Sequence, residues 1–438
     1  MGFNSHKMIR VLIGAFLVAL VNVCAGQDAK LSKKEKEILA FVDRNHPESV
    51  RLLERAVNIN SGTLNLSGVK EVGKLFGEEF RKIGFGIRWI DMPPAMNRAG
   101  HLFAERRGTK GKRLLLIGHL DTVFEPESPF QQWTLKDTIA SGPGVNDMKG
   151  GDVILLFALK ALEEAGALKD TQIVVALHGD EEHGGDPEVI SRGDIVEAAK
   201  RSDLALAFET ATGFNYGTVA RRGASSWQLK VKGKRAHSGG VFNKNTGAGA
   251  IYEAARILNS FYEQLQEQYL TFNPGLIVGG STAAIDGVSG TADGKTNVVA
   301  ETAIVNGDLR FISEEQKVKA RQRMRQIVEQ HLPQTDAEIV FEDGIPSMPP
   351  TQGNLDLLAY LNKVSIDLGM GEVKPWDPGQ RGAGDISYVA PYISGIDGLG
   401  AMGTGAHTLS ETINLRTFAD LTKRTAILIY RLTREVKN

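Results

Sequence analysis

The chain has 438 residues, 42% hydrophobic and 24% charged, an ordinary soluble composition that can fill a large core. Lys and Arg number 51 against 52 Asp and Glu, a net charge of −1, which removes the cheapest argument for nucleic-acid binding, an excess of basic charge; no nucleic-acid partner is expected. Collagen, coiled-coil and polytopic membrane classes fail on composition too, and the length favours two or three domains.

The first 26 residues read as a secretory signal. Lys7 and Arg10 form a positive start, residues 11–21 are apolar, and Val23-Cys24-Ala25-Gly26 offers small residues for cleavage. The apolar run is too short for a spanning helix; the competing structural reading is a buried N-terminal helix. Cleavage would remove Cys24, the only cysteine, unless it is lipidated. The mature chain then has no disulfide. It is expected to be secreted or periplasmic, with no stable membrane span.

Residues 32–60 read as an amphipathic helix interrupted near Pro47. A second helix spans 67–83 and ends at Gly84. Apolar runs at 113–118, 171–178 and 203–208 read as buried strands, with a helix at 150–165 between the first two. That alternation predicts an α/β sheet covered on both faces. The texture changes near Ala220. Residues 225–232 alternate with period two, 246–268 read as a helix, 275–289 and 296–311 carry strand patterns, and 313–331 form a capped helix. This is a small α+β insert. Beyond Pro333 the α/β texture returns, with helices at 354–369 and 417–435 and a buried strand near 396–402. The division expected is 27–219 and 333–438 for one domain, with 220–332 inserted.

Five clusters share one placement, at the end of a buried strand, where open α/β sheets bind ligands. Gly118-His119-Leu120-Asp121 puts a histidine and a carboxylate on one side of an extended chain, a ligand and its orienter. Ser141-Gly-Pro-Gly-Val-Asn-Asp147 is a tight loop before a helix, where Asp147 is either a helix cap or a site residue. Gly179-Asp180-Glu181-Glu182-His183 brings adjacent carboxylates to a sheet end. They repel unless solvated or offset by a cation. Glu209 and Gly403-Thr-Gly-Ala-His407 complete the set. Each alone has an ordinary structural explanation. Together, two histidines and several carboxylates suit two zinc ions sharing a bridging carboxylate, with one glutamate free as a base.

The strings Gly-His-Leu-Asp-Thr-Val, Gly-Pro-Gly-Val-Asn-Asp-Met-Lys-Gly-Gly and Gly-Asp-Glu-Glu are specific as a set. With them the chain resembles, over most of residues 32–438, the zinc-dependent M20 peptidases: glutamate carboxypeptidases, aminoacylases, dipeptidases and succinyl-diaminopimelate desuccinylase. It looks most like the secreted glutamate carboxypeptidase branch. The resemblance implies a mixed-sheet α/β catalytic domain with an inserted ferredoxin-like lid that also dimerises. It implies two Zn2+ per subunit, one on His119 and Glu209, the other on Glu182 and His407, with Asp147 bridging. Asp121 would orient His119, and Glu181 would be the general base. In the lid, His237 would enter the partner subunit's active site of a homodimer; the alternative is that it caps a surface turn. Asn297 and Arg310 in the lid, and Arg381 outside it, would hold the substrate carboxylate. The substrate would be a small peptide or N-acyl amino acid. Two departures, Ala300 in place of a frequent proline and His183 beside the glutamate pair, bear on substrate choice rather than on the metal set.

Overall fold

The computed structural model describes residues 31–435, so the expected signal segment lies outside the described residues. The main sheet follows the order Gly86–Ile90, His101–Arg106, Thr171–His178, Lys110–His119, Leu204–Ala207, Ser394–Ile396. The last four strands run parallel, and the first two form an antiparallel flank. The flank makes this the mixed sheet that the resemblance implies, although the two strands themselves were not picked out from the sequence. Alternate residues of the central strand face opposite layers. Leu114 and Leu116 pack with the long helices, while Leu115 and Ile117 pack with Ile195, Ala198 and Val389 on the other face. Both faces are covered, so these strands read as unbroken apolar runs rather than as alternation. Among the described residues no helix is long and apolar enough to cross a membrane.

The first helix differs from expectation. Lys33–Val57 runs through Pro47 without a break. Its buried stripe, Ile38 and Val42 before the proline and Leu52, Leu53 and Ala56 after it, holds both halves against the helices Gly150–Glu164 and Leu415–Leu432. The Phe41 carbonyl accepts from the Asn45 side chain at 2.9 Å. The strand expected near 396–402 is confined to Ser394–Ile396.

The insert is a four-stranded antiparallel sheet in the order Thr271–Gly280, Thr302–Phe311, Gly223–Gly233, Thr335–Asp343, with helices Ala250–Gln264 and Glu314–Val328. Chain order strand–helix–strand–strand–helix–strand and this pairing give the ferredoxin-like arrangement. The fourth strand lies beyond Pro333, so the insert's sheet extends to Asp343 rather than ending at 332. Ala337, Ile339 and Phe341 alternate inward against the insert's own core, a period-two signal overshadowed by the proline. The first helix starts at Ala250 rather than 246, because Gly247 and Gly249 take φ of +72° and +81°, a left-handed conformation that breaks a helix. Residues 282–293 form a hairpin beside the edge strand.

Trp227 anchors this second core. It is 2% exposed, its indole N–H donates to the Asp308 carbonyl at 3.0 Å, and its ring meets Phe261 edge-on at 5.9 Å. Trp227→Ala is expected to destabilise the insert by about 3–5 kcal/mol. In urea unfolding this should appear as an earlier transition reported by the insert, with the main sheet little changed; a single unshifted transition would show that Trp227 does not anchor it.

Candidate metal centre

Parallel strands deliver their C-terminal ends to one edge of the main sheet. His119 is the last residue of Lys110–His119, Asp180 to Glu182 follow Thr171–His178, and Glu209 follows Leu204–Ala207. A second, smaller sheet supplies the other two groups. Its order is Gly403–Thr404, Thr412–Asn414, Ile139–Ser141, Thr134–Lys136. Ile139–Ser141 and Thr412–Asn414 pair directly, so the loop after the first, carrying Asp147, lies beside the loop before the second, carrying His407.

The result is two ligand groups with a common member. His119 Nε2 lies 3.3 Å from Asp147 Oδ1 and 3.6 Å from Glu209 Oε1. His407 Nε2 lies 3.2 Å from Asp147 Oδ2 and 3.1 Å from Glu182 Oε2. The donor atoms of each group are mutually within 4.8 Å. Asp147 therefore turns one carboxylate oxygen to each histidine, and it does not cap the helix Gly150–Glu164, which has no side-chain cap. His407 holds a φ of +64°, a sparsely populated conformation for a residue other than glycine.

Asp121 does more than orient a histidine. His119 Nδ1 lies 3.1 Å from the Asp121 carbonyl and 3.5 Å from its carboxylate. The same carboxylate accepts from the backbone N–H of Glu181 at 3.0 Å and of Glu182 at 3.1 Å, and from the Thr63 hydroxyl at 2.7 Å. One buried acid thus fixes both the histidine and the glutamate pair. Arg192 fixes the start of that loop, bridging Asp180 at 2.6 Å and Asp385 at 2.8 Å. His183 joins neither group; its carbonyl accepts from Arg98 at 2.6 Å.

The electrostatics are those of a cation site. Burial pushes the Glu209 carboxyl up to about 8, with the Asp147 charge adding to it. Burial, then the Glu209 charge, also raises Glu181 well above the usual carboxylate range. Hydrogen bonds to Asp147 and Glu182 push the His407 imidazole up to about 11. The buried Glu182 Oε1 has no hydrogen-bond partner. Three carboxylates and two imidazoles turned toward each other, with an unspent oxygen, fit two divalent cations, which would offset the repulsion and the desolvation.

Four substrate-side candidates lie outside both groups. His237 is exposed, and its Nδ1 accepts from the Gly239 N–H at 3.1 Å, the turn-capping contact. It bridges to Val298, and the Asn297 carbonyl accepts from the Ser238 N–H at 2.9 Å, so His237 and Asn297 are neighbours. Arg310 pairs with Asp308 at 2.7 Å in its own strand. Arg381 stands closer to the metal groups. It donates to the Thr210 carbonyl at 3.1 Å, and its buried Nε has no partner.

Sequence reasoning missed Thr63, Arg192 and Glu411. None carries a local signal, because each acts on loops that only the fold brings near it.

The family of the M20 peptidase dimerisation domain matches residues 219–336. Carboxypeptidase G2 of Pseudomonas sp. is 27% identical over 409 residues, covering 90% of this chain and 91% of that one. These matches support an M20 family metallopeptidase. Succinyl-diaminopimelate desuccinylase of Delftia acidovorans is 24% identical over 381 residues, covering 83% of this chain and 93% of the relative. In fold, it is similar to aminopeptidase PepT of Bacillus cereus (TM-score 0.72, 17% identity, 89% and 99% covered). It is also similar to the YXEP protein of Bacillus subtilis, a dinuclear metal binding peptidase of the M20 family (TM-score 0.64, 14% identity, 90% and 99% covered). These relatives and neighbours are hydrolytic enzymes, and the chain is an enzyme of that kind.

Loading such a site displaces protons. A histidine with its pKa raised to about 11 and a glutamate raised to about 8 are both mostly protonated at pH 7 in the metal-free protein, whereas ligands bind deprotonated. His119, which burial alone would lower but hydrogen bonds to Asp121 and Asp147 hold well above its ordinary value, adds to these. Adding divalent metal at pH 7 is therefore expected to release at least about two protons per chain in a pH-stat, and apparent affinity should rise from pH 6 to pH 8. Affinity independent of pH over that range would remove His407 and Glu209 from the ligand set.

Proposed function

We propose that the chain is a di-zinc carboxypeptidase-type hydrolase that cleaves an amide or peptide bond next to a free carboxylate, working as a secreted or periplasmic homodimer. The observation that carries this reading is the pair of histidine–carboxylate groups sharing Asp147, with Glu181 beside them on a loop anchored by Asp121. His119, Asp147 and Glu209 would hold one ion, and His407, Asp147 and Glu182 the other. Imidazole with carboxylate is a set that zinc accepts. Two bound zinc ions would lower the pKa of water and polarise a carbonyl. Glu181, on a loop held by its own N–H, would take the proton of the attacking water and return it to the leaving nitrogen. Burial raises its proton affinity, as suits a base that must later act as acid. His237, from the partner subunit, would donate to the developing oxyanion. Asn297, Arg310 and Arg381 would hold the substrate carboxylate.

Carboxypeptidase G2 as a relative over 90% of the chain supports the carboxypeptidase reading. Desuccinylase relatives favour a second one within the same chemistry, hydrolysis of an N-acyl amino acid or a dipeptide. A binder that has lost catalysis would not need Glu181. Residues 1–26 support export, and the dimerisation-domain match supports the homodimer.

Zinc content by elemental analysis, followed by hydrolysis of a panel of N-acyl amino acids, N-succinyl amines and dipeptides, tests these readings together. Glu181→Gln is expected to retain two metals and to lose at least 10²–10⁴-fold in turnover, on the order of what a general acid–base group contributes. Near-normal activity in that variant would falsify its role as base.

Subunit complementation tests the histidine in trans. His237→Ala and Glu181→Gln chains should each be nearly inactive. After exchange, about half the dimers are mixed and one of their two sites is intact, so activity should rise to about a quarter of wild type. Demonstrated exchange with no recovery means His237 does not serve its neighbour.

A further inference from the structure

We propose that Glu411 is the positioning residue that holds Asp147 between the two histidines. The proposal rests on the reading of Asp147 as the shared ligand. Glu411 has no solvent exposure. Its Oε1 accepts the backbone N–H of Asn146 at 2.7 Å and of Asp147 at 2.9 Å, and its Oε2 accepts the N–H of Gly144 at 3.2 Å. A buried carboxylate is strongly unfavourable unless such donors satisfy it. Here all three belong to one loop, and one belongs to the shared ligand itself.

The other end of Glu411 is equally fixed. Its carbonyl accepts from the Ser141 hydroxyl at 2.7 Å, and its N–H donates to the Thr408 carbonyl at 3.2 Å. Thr412, the next residue, pairs with Ser141 across the small sheet. Glu411 therefore lies four residues past His407 on one loop and grips the loop that carries Asp147. An ordinary loop anchor would secure one segment. Glu411 sets the distance between two ligand-bearing segments, and so the span of both metal groups at once. It does not touch the reacting atoms.

The test titrates metal-free wild type, Glu411→Gln, Glu411→Asp and His407→Ala with zinc against a chromophoric chelator, and records the melting temperature of each metal-free protein. Glutamine keeps the length but turns an NH2 group toward the loop N–H donors. Aspartate keeps the charge but is one methylene too short to reach all three. Both are expected to weaken both zinc sites together by about 10–100-fold, the range for groups that orient ligands. His407→Ala should weaken chiefly one site. The metal-free Glu411→Gln protein should melt within about 4 °C of wild type, a small stability change. Unchanged affinity, or a loss confined to one site, overturns the proposal. So do variants that are unfolded or melt far below wild type without metal, which would make Glu411 a general structural anchor. Wild type that binds fewer than two zinc ions sinks the di-metal reading instead; no substrate enters the measurement, so the bond cleaved does not affect the outcome.

Discussion

The site depends on one carboxylate, Asp147, lying where two histidines from distant parts of the chain can both reach it. His119 Nε2 and His407 Nε2 stand 3.3 and 3.2 Å from its two oxygens. Nothing local could produce that. The main sheet supplies His119, Glu182 and Glu209 because parallel strands end together, each ending in a loop at the same edge. The small sheet supplies His407 because two hairpins, one on each side of the insert in sequence, share a strand pair. Asp147 sits where these two constructions meet. Its neighbours are arranged to keep it there, and the concentration of negative charge makes a divalent cation the natural complement.

The same architecture separates two tasks. Groups suited to metal and proton chemistry gather where the main and small sheets meet, buried or half-buried except for the exposed His407, with their loops tied by Asp121, Arg192 and Glu411. Groups suited to gripping a substrate, His237, Asn297 and Arg310, stand on the insert with a core of its own around Trp227. Arg381 is intermediate, beside the metal groups with a donor unspent. A catalytic edge built this way can be rigid while the substrate-facing parts vary on an independent domain.

Much of this was readable from residues alone, and the reasons are specific. The strands at 113–118 and 171–178 announce themselves because burial on both faces leaves their central residues, 114–117 and 173–177, without a polar position. Gly-His-Leu-Asp and Gly-Asp-Glu-Glu, each ordinary alone, stand out because together with Asp147, Glu209 and His407 they put titratable groups at several strand ends at once. What escaped was non-local. Gly86–Ile90 and His101–Arg106 are short, mixed in polarity and flanked by prolines, so their pairing decides them rather than their pattern. Pro47 suggested a break that the buried stripe around it prevents. Pro333 suggested a domain border, yet the alternation of Ala337, Ile339 and Phe341 carries the insert's sheet past it. Glu411 looked like one acid among 52 Asp and Glu; its meaning lies in three N–H groups contributed by another loop.

The pairing of Ile139–Ser141 with Thr412–Asn414 also bears on the order of events at the ribosome. Ser141 and Glu411 are 270 residues apart. At about 5–20 residues per second of synthesis, the Asp147 loop waits roughly 15–50 s for its second histidine to be made. Until then the nascent polypeptide holds one candidate ligand group complete and the other without its histidine. Hydrolytic competence is thus deferred by topology alone, and an unfinished chain bearing the first ligands cannot assemble the shared site.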